Sequence, residues 1–194
     1  EKFWPTTDII RQIALTGCRR GEIINLKWCD VDLDGSCLRL SESKEGRSIR
    51  PIGLPVVEFL EAQRQTATGS FVFPGFGEAN AFGGFPNHWN ALFSGSPLEG
   101  ITAHVLRHSF ASMGNDLGFT EITIAALLGH AKGSITSRYI HVLDATLITA
   151  ADMIAGYVSA LLNGTNFQRG SFALDRTARK SAMSEFIAER AAGS

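Results

Sequence analysis

A chain of 194 residues with 44% hydrophobic and 19% charged side chains has the composition of a globular protein able to bury one medium core, not of a fibrous or disordered chain. Its formal net charge of −1 excludes a uniformly basic surface, so any face that meets phosphate is expected to be local. Half of the basic residues, 9 of 18, lie in residues 1–50, whereas residues 51–100 hold Arg64 against Glu58, Glu61, Glu78 and Glu99. Three cysteines, Cys18, Cys29 and Cys37, with no C-x-x-C spacing, argue against a disulfide framework or a zinc site and for reduced thiols in a cytoplasm. Apolar stretches are interrupted well before about 20 positions, so no membrane span is expected. No basic-then-apolar leader is visible at the N-terminus. The chain opens at Glu1 on the lead-in to a helix, so upstream sequence is expected.

Thr6-Thr7-Asp8 predicts a helix cap, followed by Ile9, Ile10, Ile13, Ala14 and Leu15, with Gly17 ending the helix or opening a turn. Helical spacing resumes from Gly21 to Lys27, and Asp30 to Gly35 is a turn-rich link. Ser36 to Ser41 and Ser48 to Leu54 predict two short strands, with Lys44-Glu45-Gly46 at the hairpin turn. Pro55 suits the first turn of a helix that runs to Gln65. Phe71 to Pro74 is extended, and the glycine-rich stretch from Gly75 to Pro86 is a loop. Residues 102–117, 120–128 and 133–141 predict three helices, and Asp144 to Leu162 an apolar one that stops at Asn163-Gly164. Residues 165–194 form a polar tail.

Five places stand out, in this order: Thr16-Gly17-Cys18-Arg19-Arg20-Gly21-Glu22; Lys44 at the hairpin tip; His104-Val105-Leu106-Arg107-His108; Leu127-Leu128-Gly129-His130; and Tyr139, nine positions after His130. Each is weak alone. Arg19 could be a surface cation, Lys44 a solvated turn residue, His130 part of an ordinary helix cap and Tyr139 a half-buried core aromatic. The other tyrosine, Tyr157, reads as core. His104 and His108, four apart on a predicted helix, have a spacing that can bind metal, but no carboxylate or cysteine follows at matching spacing.

As an ordered set, these motifs resemble the signature of the tyrosine recombinases, the phage-integrase family, over roughly residues 5–162. The resemblance implies an α+β fold, mostly α-helical, with a small antiparallel β-sheet carrying Lys44. It implies a catalytic domain over residues 1–164, a C-terminal tail over 165–194 that is either a protomer-docking helix or disordered, and an N-terminal core-binding domain that this chain lacks. The implied activity is site-specific cleavage and rejoining of double-stranded DNA through a 3′-phosphotyrosyl intermediate, in integration or excision of a mobile element. No metal, ATP or other cofactor is implied. Self-association as a tetramer on DNA is expected, with no membrane partner.

The residue types suit that chemistry. Attack on a phosphodiester builds charge on the non-bridging oxygens, and two guanidinium groups, Arg19 and Arg107, can clamp them. A tyrosine with a pKa of about 10 needs a base or an electropositive site, and His104 and His130 are the candidates. The leaving 5′ oxygen needs a proton, and Lys44 matches the family's general acid. Glu22 and His108 match supporting positions. Arg20, Arg47, Arg50, Lys132 and Arg138 are the candidate DNA contacts. Three other readings stay open: a topoisomerase-like enzyme using the same residues, a catalytically inactive DNA-binding regulator with the same fold, and a metal hydrolase built on His104 and His108.

Overall fold

The computed structural model describes residues 5–43, 46–76, 80–130 and 145–167, except the side chains of residues 41–43 and 47. The first helix, α1 (Thr6–Thr16), buries Ile9, Gln12, Ile13 and Thr16, which recur at three- and four-residue spacing along one face. Gly17 stops it in a left-handed conformation, φ 63°, and its N–H closes on the Ile13 carbonyl at 2.9 Å. No side chain fits there, because a Cβ would sit 2.7 Å from both Phe110 and Leu128. A short helix, α2 (Arg20–Ile24), and one turn of 3-10 helix (Trp28–Asp30) lead into the sheet.

The sheet is antiparallel in the order β1 (Val31–Asp32), β2 (Cys37–Ser43), β3 (Gly46–Pro51). Leu38 pairs with Val31 on one side and Arg50 on the other, and Leu40 pairs with Ser48, with an irregularity between Leu40 and Ser43. Leu38 and Leu40 face the core and Arg39 faces outward, the period-two pattern of a half-buried strand. The two-residue β1 lies within a stretch that the sequence alone presents as a turn-rich link.

Helix α3 (Leu54–Arg64) carries Pro55 in its first turn, as the sequence predicts. Helix α4 (Phe85–Phe93) was not expected, because glycines precede it. Phe85, Trp89 and Phe93 nevertheless recur every four residues, with Phe85 stacked on Trp89 at 5.7 Å between ring centroids and Phe93 tilted against Trp89 at 4.5 Å. Helices α5 (His104–Asp116) and α6 (Glu121–Leu128) match two of the three expected after residue 102. The third, over 133–141, lies outside the described residues. Thr120 caps α6 by accepting from the Thr123 N–H.

The last helix, α7 (Ala145–Asn163), is long and apolar enough, by length and composition, to cross a membrane. Here it packs on α1, α3 and α5, burying Ala151, Ile154, Ala155 and Val158. It also binds the N-terminus of α3. The Asp152 carboxylate, itself buried, accepts the Leu54 N–H at 2.8 Å. Gly53 allows this approach, since a Cβ there would lie 2.5 Å from the Ala151 carbonyl oxygen. One core results, running from Ile9 and Ile13 through Leu38, Phe110 and Leu127 to Ile154. The site described next lies where α1, α2, β3, α5 and α6 meet.

Candidate active site

The turn that follows α1 is held by its own residues. The Thr16 hydroxyl donates to the Gln12 carbonyl at 2.6 Å and accepts the Cys18 N–H at 3.1 Å. This fixes the chain as it leaves the helix, and Arg19 follows in extended backbone as the N-cap of α2. The Arg19 N–H donates to Glu22 Oε2 at 2.7 Å, and its Nη1 donates to Glu22 Oε1 at 3.1 Å. Glu22 lies in the first turn of α2, where a carboxylate also favours the helix dipole. The Arg19 side chain keeps 25% of its surface exposed.

Arg107 lies on α5 and is 3% exposed. Its Nη1 donates to the Gly17 carbonyl at 2.5 Å, and its Nη2 donates to the Leu128 carbonyl at 2.9 Å. The same Nη2 lies 2.7 Å from His130 Nε2. A guanidinium has only donors, so the histidine nitrogen accepts. Gly129, at φ 73°, ends α6, and His130 donates its backbone N–H to Ala125 at 2.9 Å. One side chain thus joins the turn after α1, the end of α6 and the first residue beyond it.

The electrostatics follow from this packing. The Arg107 pKa lies below the ordinary arginine value, first because of burial and then because of the Arg19 cation. The two guanidinium groups are close enough to repel. Glu22 bonds Arg19 and Arg50, so this cluster of described residues holds three guanidinium groups and one carboxylate. Burial pushes the Cys18 thiol up, which keeps it neutral there. The site therefore carries an excess of positive charge in a chain whose net charge is −1. Such a site is suited to an anion.

The sequence model described as "Phage integrase family" matches residues 6–146, a span that contains all of these groups and Tyr139. The chain belongs to the phage integrase family. Among curated relatives, it is 31% identical over 147 residues to the shufflon-specific DNA recombinase of Escherichia coli, covering 74% of this chain and 37% of that protein. It is 30% identical over 142 residues to the tyrosine recombinase XerD of Mycobacterium tuberculosis (strain H37Rv), covering 68% of this chain and 46% of the relative. The chain thus spans less than half the length of these two relatives. The crystal structure of XerA recombinase superposes with a TM-score of 0.51 at 26% identity, over 73% of this chain and 57% of that one. The Tn1549 transposon integrase, in complex with circular intermediate DNA, shares the fold at a TM-score of 0.51 and 19% identity, over 75% of this chain and 56% of that one. The α+β, mostly helical architecture with its small antiparallel sheet is the tyrosine recombinase catalytic fold.

Within this integrase fold, the structure brings together Arg19, Glu22, Arg107 and His130. His104 and His108 are exposed on α5, their rings edge to face with centroids 4.6 Å apart. His104 stands three residues before Arg107, on the same side of the helix. Among the described residues, no group of three or more His, Cys, Asp or Glu side chains could hold a metal ion. Arg20 is exposed at the start of α2. Lys44, Lys132, Arg138 and Tyr139 lie outside the described residues, as does the side chain of Arg47.

Arg50 requires a correction. Taken from sequence as a DNA contact, it is buried beneath the Gly129 turn and paired with the Glu22 carboxylate, so it offers no free cation to the surface. Its Nη2 donates to Glu22 Oε1 at 3.0 Å and its Nη1 donates to the Ser48 hydroxyl. The reason is steric and electrostatic together. β3 runs under the Gly129 turn, which has no side chain to keep the guanidinium away, and Glu22 supplies the counter-charge. The pairing of Arg50 with Glu22, 28 residues apart, left no local signal in the sequence.

Proposed function

We propose that this chain is the DNA-breaking and rejoining domain of a site-specific tyrosine recombinase that acts in integration or excision of a mobile element. The convergence of Arg19 and Arg107 carries the reading. Two guanidinium groups that repel each other are stabilised by an anion between them, and a phosphodiester is an anion that two such donors can hold. Tyr139 is the nucleophile. Its phenolic oxygen bonds to the scissile phosphorus while the bond from phosphorus to the 5′ oxygen breaks. The phenolic proton passes to a histidine, either His104 or, once Arg107 turns from its Nε2 to the phosphate, His130, and Lys44 protonates the departing 5′ oxygen. The product is a 3′-phosphotyrosyl bond, and attack on it by a second 5′ hydroxyl rejoins the DNA and frees the tyrosine. No step uses a metal ion or ATP.

The partner is double-stranded DNA, on which the whole protein acts as a tetramer in the cytoplasm. Residues 1–164 are the catalytic unit, a preceding domain closes on the DNA from the other side, and residues 165–194 are a separate tail. Arg20, Arg47, Lys132 and Arg138 supply further contacts to the DNA backbone, and His108 supports His104.

A strand-exchange assay in EDTA tests the activity, using a supercoiled plasmid with two copies of a sequence that the protein cleaves. Recombinant circles of altered size are the expected product. Relaxation without exchange would favour a topoisomerase-like enzyme, and DNA binding with neither product would favour a regulator that has lost catalysis.

A further inference from the structure

We infer that Arg50 is a positioning residue for the phosphate clamp, acting from beneath it and not on DNA. The inference rests on the recombinase reading above and extends it to a side chain outside the motifs. Arg50 touches both halves of the site. On one side its Nη2 shares Glu22 Oε1 with Arg19, at 3.0 Å and 3.1 Å. The other oxygen of that carboxylate holds the Arg19 backbone at 2.7 Å. On the other side the guanidinium lies against Gly129, where any Cβ would fall on it. Gly129 separates Leu128, whose carbonyl binds Arg107, from His130, whose ring meets Arg107.

A third contact, from Nη1 to the Ser48 hydroxyl, anchors the group to its own strand. The planar fork of the guanidinium therefore sets the Glu22 carboxylate, and through it Arg19, relative to the turn that carries His130. A packing role would not require this chemistry. Among the described residues the buried Nε of Arg50 has no hydrogen-bond partner, and an apolar side chain of similar volume avoids that cost. The buried cation earns its place by orienting the groups around it.

Arg50→Met and Arg50→Lys, made in the full chain, separate this role from the alternatives. The probe is a random-sequence pool of nicked duplexes, with affinity read by gel shift and covalent adduct formation read on denaturing gels. Loss of orientation should slow adduct formation roughly 100-fold in Arg50→Met while duplex affinity holds, because a displacement near 1 Å can cost that much. Arg50→Lys keeps the charge but not the fork, and should show the same split if Arg50→Met does not fold. Equal loss of affinity and rate would make Arg50 a DNA contact, and an unchanged rate would leave it no positioning role. Either result overturns the inference.

If the unaltered chain forms no adduct, the recombinase reading fails separately. Hydrogen exchange then decides on Arg50. Its replacement should speed exchange at Ile23 and His130, whose N–H groups close the turns on either side of it. Unchanged exchange at both amides would refute the inference.

Discussion

Arg107 donates to two backbone carbonyls that belong to different turns, so removing it has a structural and a chemical consequence. Arg107→Ala leaves the Gly17 and Leu128 carbonyls without their donor, at a cost of about 1–3 kcal/mol each. Urea unfolding should show that loss, and a variant as stable as the parent would mean that water replaces both bonds. A second residue-scale prediction concerns pH. The Cys37 thiol is pushed up from 9.0 to about 11, first by burial and then by the Asp32 carboxylate. A raised folded-state value stabilises the fold fully below pH 9 and loses that contribution as pH rises towards 11. Urea midpoints should fall over that range, and the fall should be shallower in Cys37→Ala, where identical slopes would contradict the assignment. At this scale the sequence singled out Arg19, Arg107 and His130, which the structure brings together, because each sits in a short motif. It misplaced Arg50 because only the approach of β3 to Gly129 distinguishes a buried cation from a surface one.

Among the elements, α3 shows how a helix start depends on a distant residue. Gly53 has no side chain to cap it, and Asp152, on α7, supplies the acceptor. Asp152→Ala should therefore cost about 0.5–2 kcal/mol, the usual range for a lost N-cap. Thermal unfolding of that variant beside Asp152→Asn, which keeps an acceptor, measures it. Equal melting temperatures for the two would argue that charge and not the cap matters. Most helices were legible because their stops are local: Gly17, Gly129 and Gly164 all adopt positive φ. β1 was not, since two residues within a turn-rich stretch carry no period. α4 carried a signal in the four-residue recurrence of Phe85, Trp89 and Phe93, which the preceding glycines obscured.

At the scale of the whole molecule, charge sets what the proposed function requires of DNA binding. A net charge of −1 offers little long-range attraction, so the described site must act through a few close contacts. Affinity for random duplex should be weak and should fall with salt on a log–log slope of about −4 to −5, as expected if Arg19 and Arg107 neutralise one phosphate and Arg20, Arg47, Lys132 and Arg138 one each. Nanomolar binding at moderate salt would show that a larger basic surface is present. The shared fold with recombinases and the motif order were both legible, because they depend on residue types in sequence. The convergence of five elements on one cluster of charge was not, because it depends on packing between residues far apart in sequence, such as Arg107 and Gly17, 90 positions apart.

The central claim is that Tyr139 forms a covalent bond to DNA, and trapping that bond tests it most directly. The protein would be incubated with nicked duplexes from a randomised pool, in EDTA, beside Tyr139→Phe, and the products denatured in SDS. The account predicts an SDS-stable protein–DNA adduct with the unaltered chain and none with Tyr139→Phe. An adduct that persists in Tyr139→Phe, or no adduct from the unaltered chain, would contradict it.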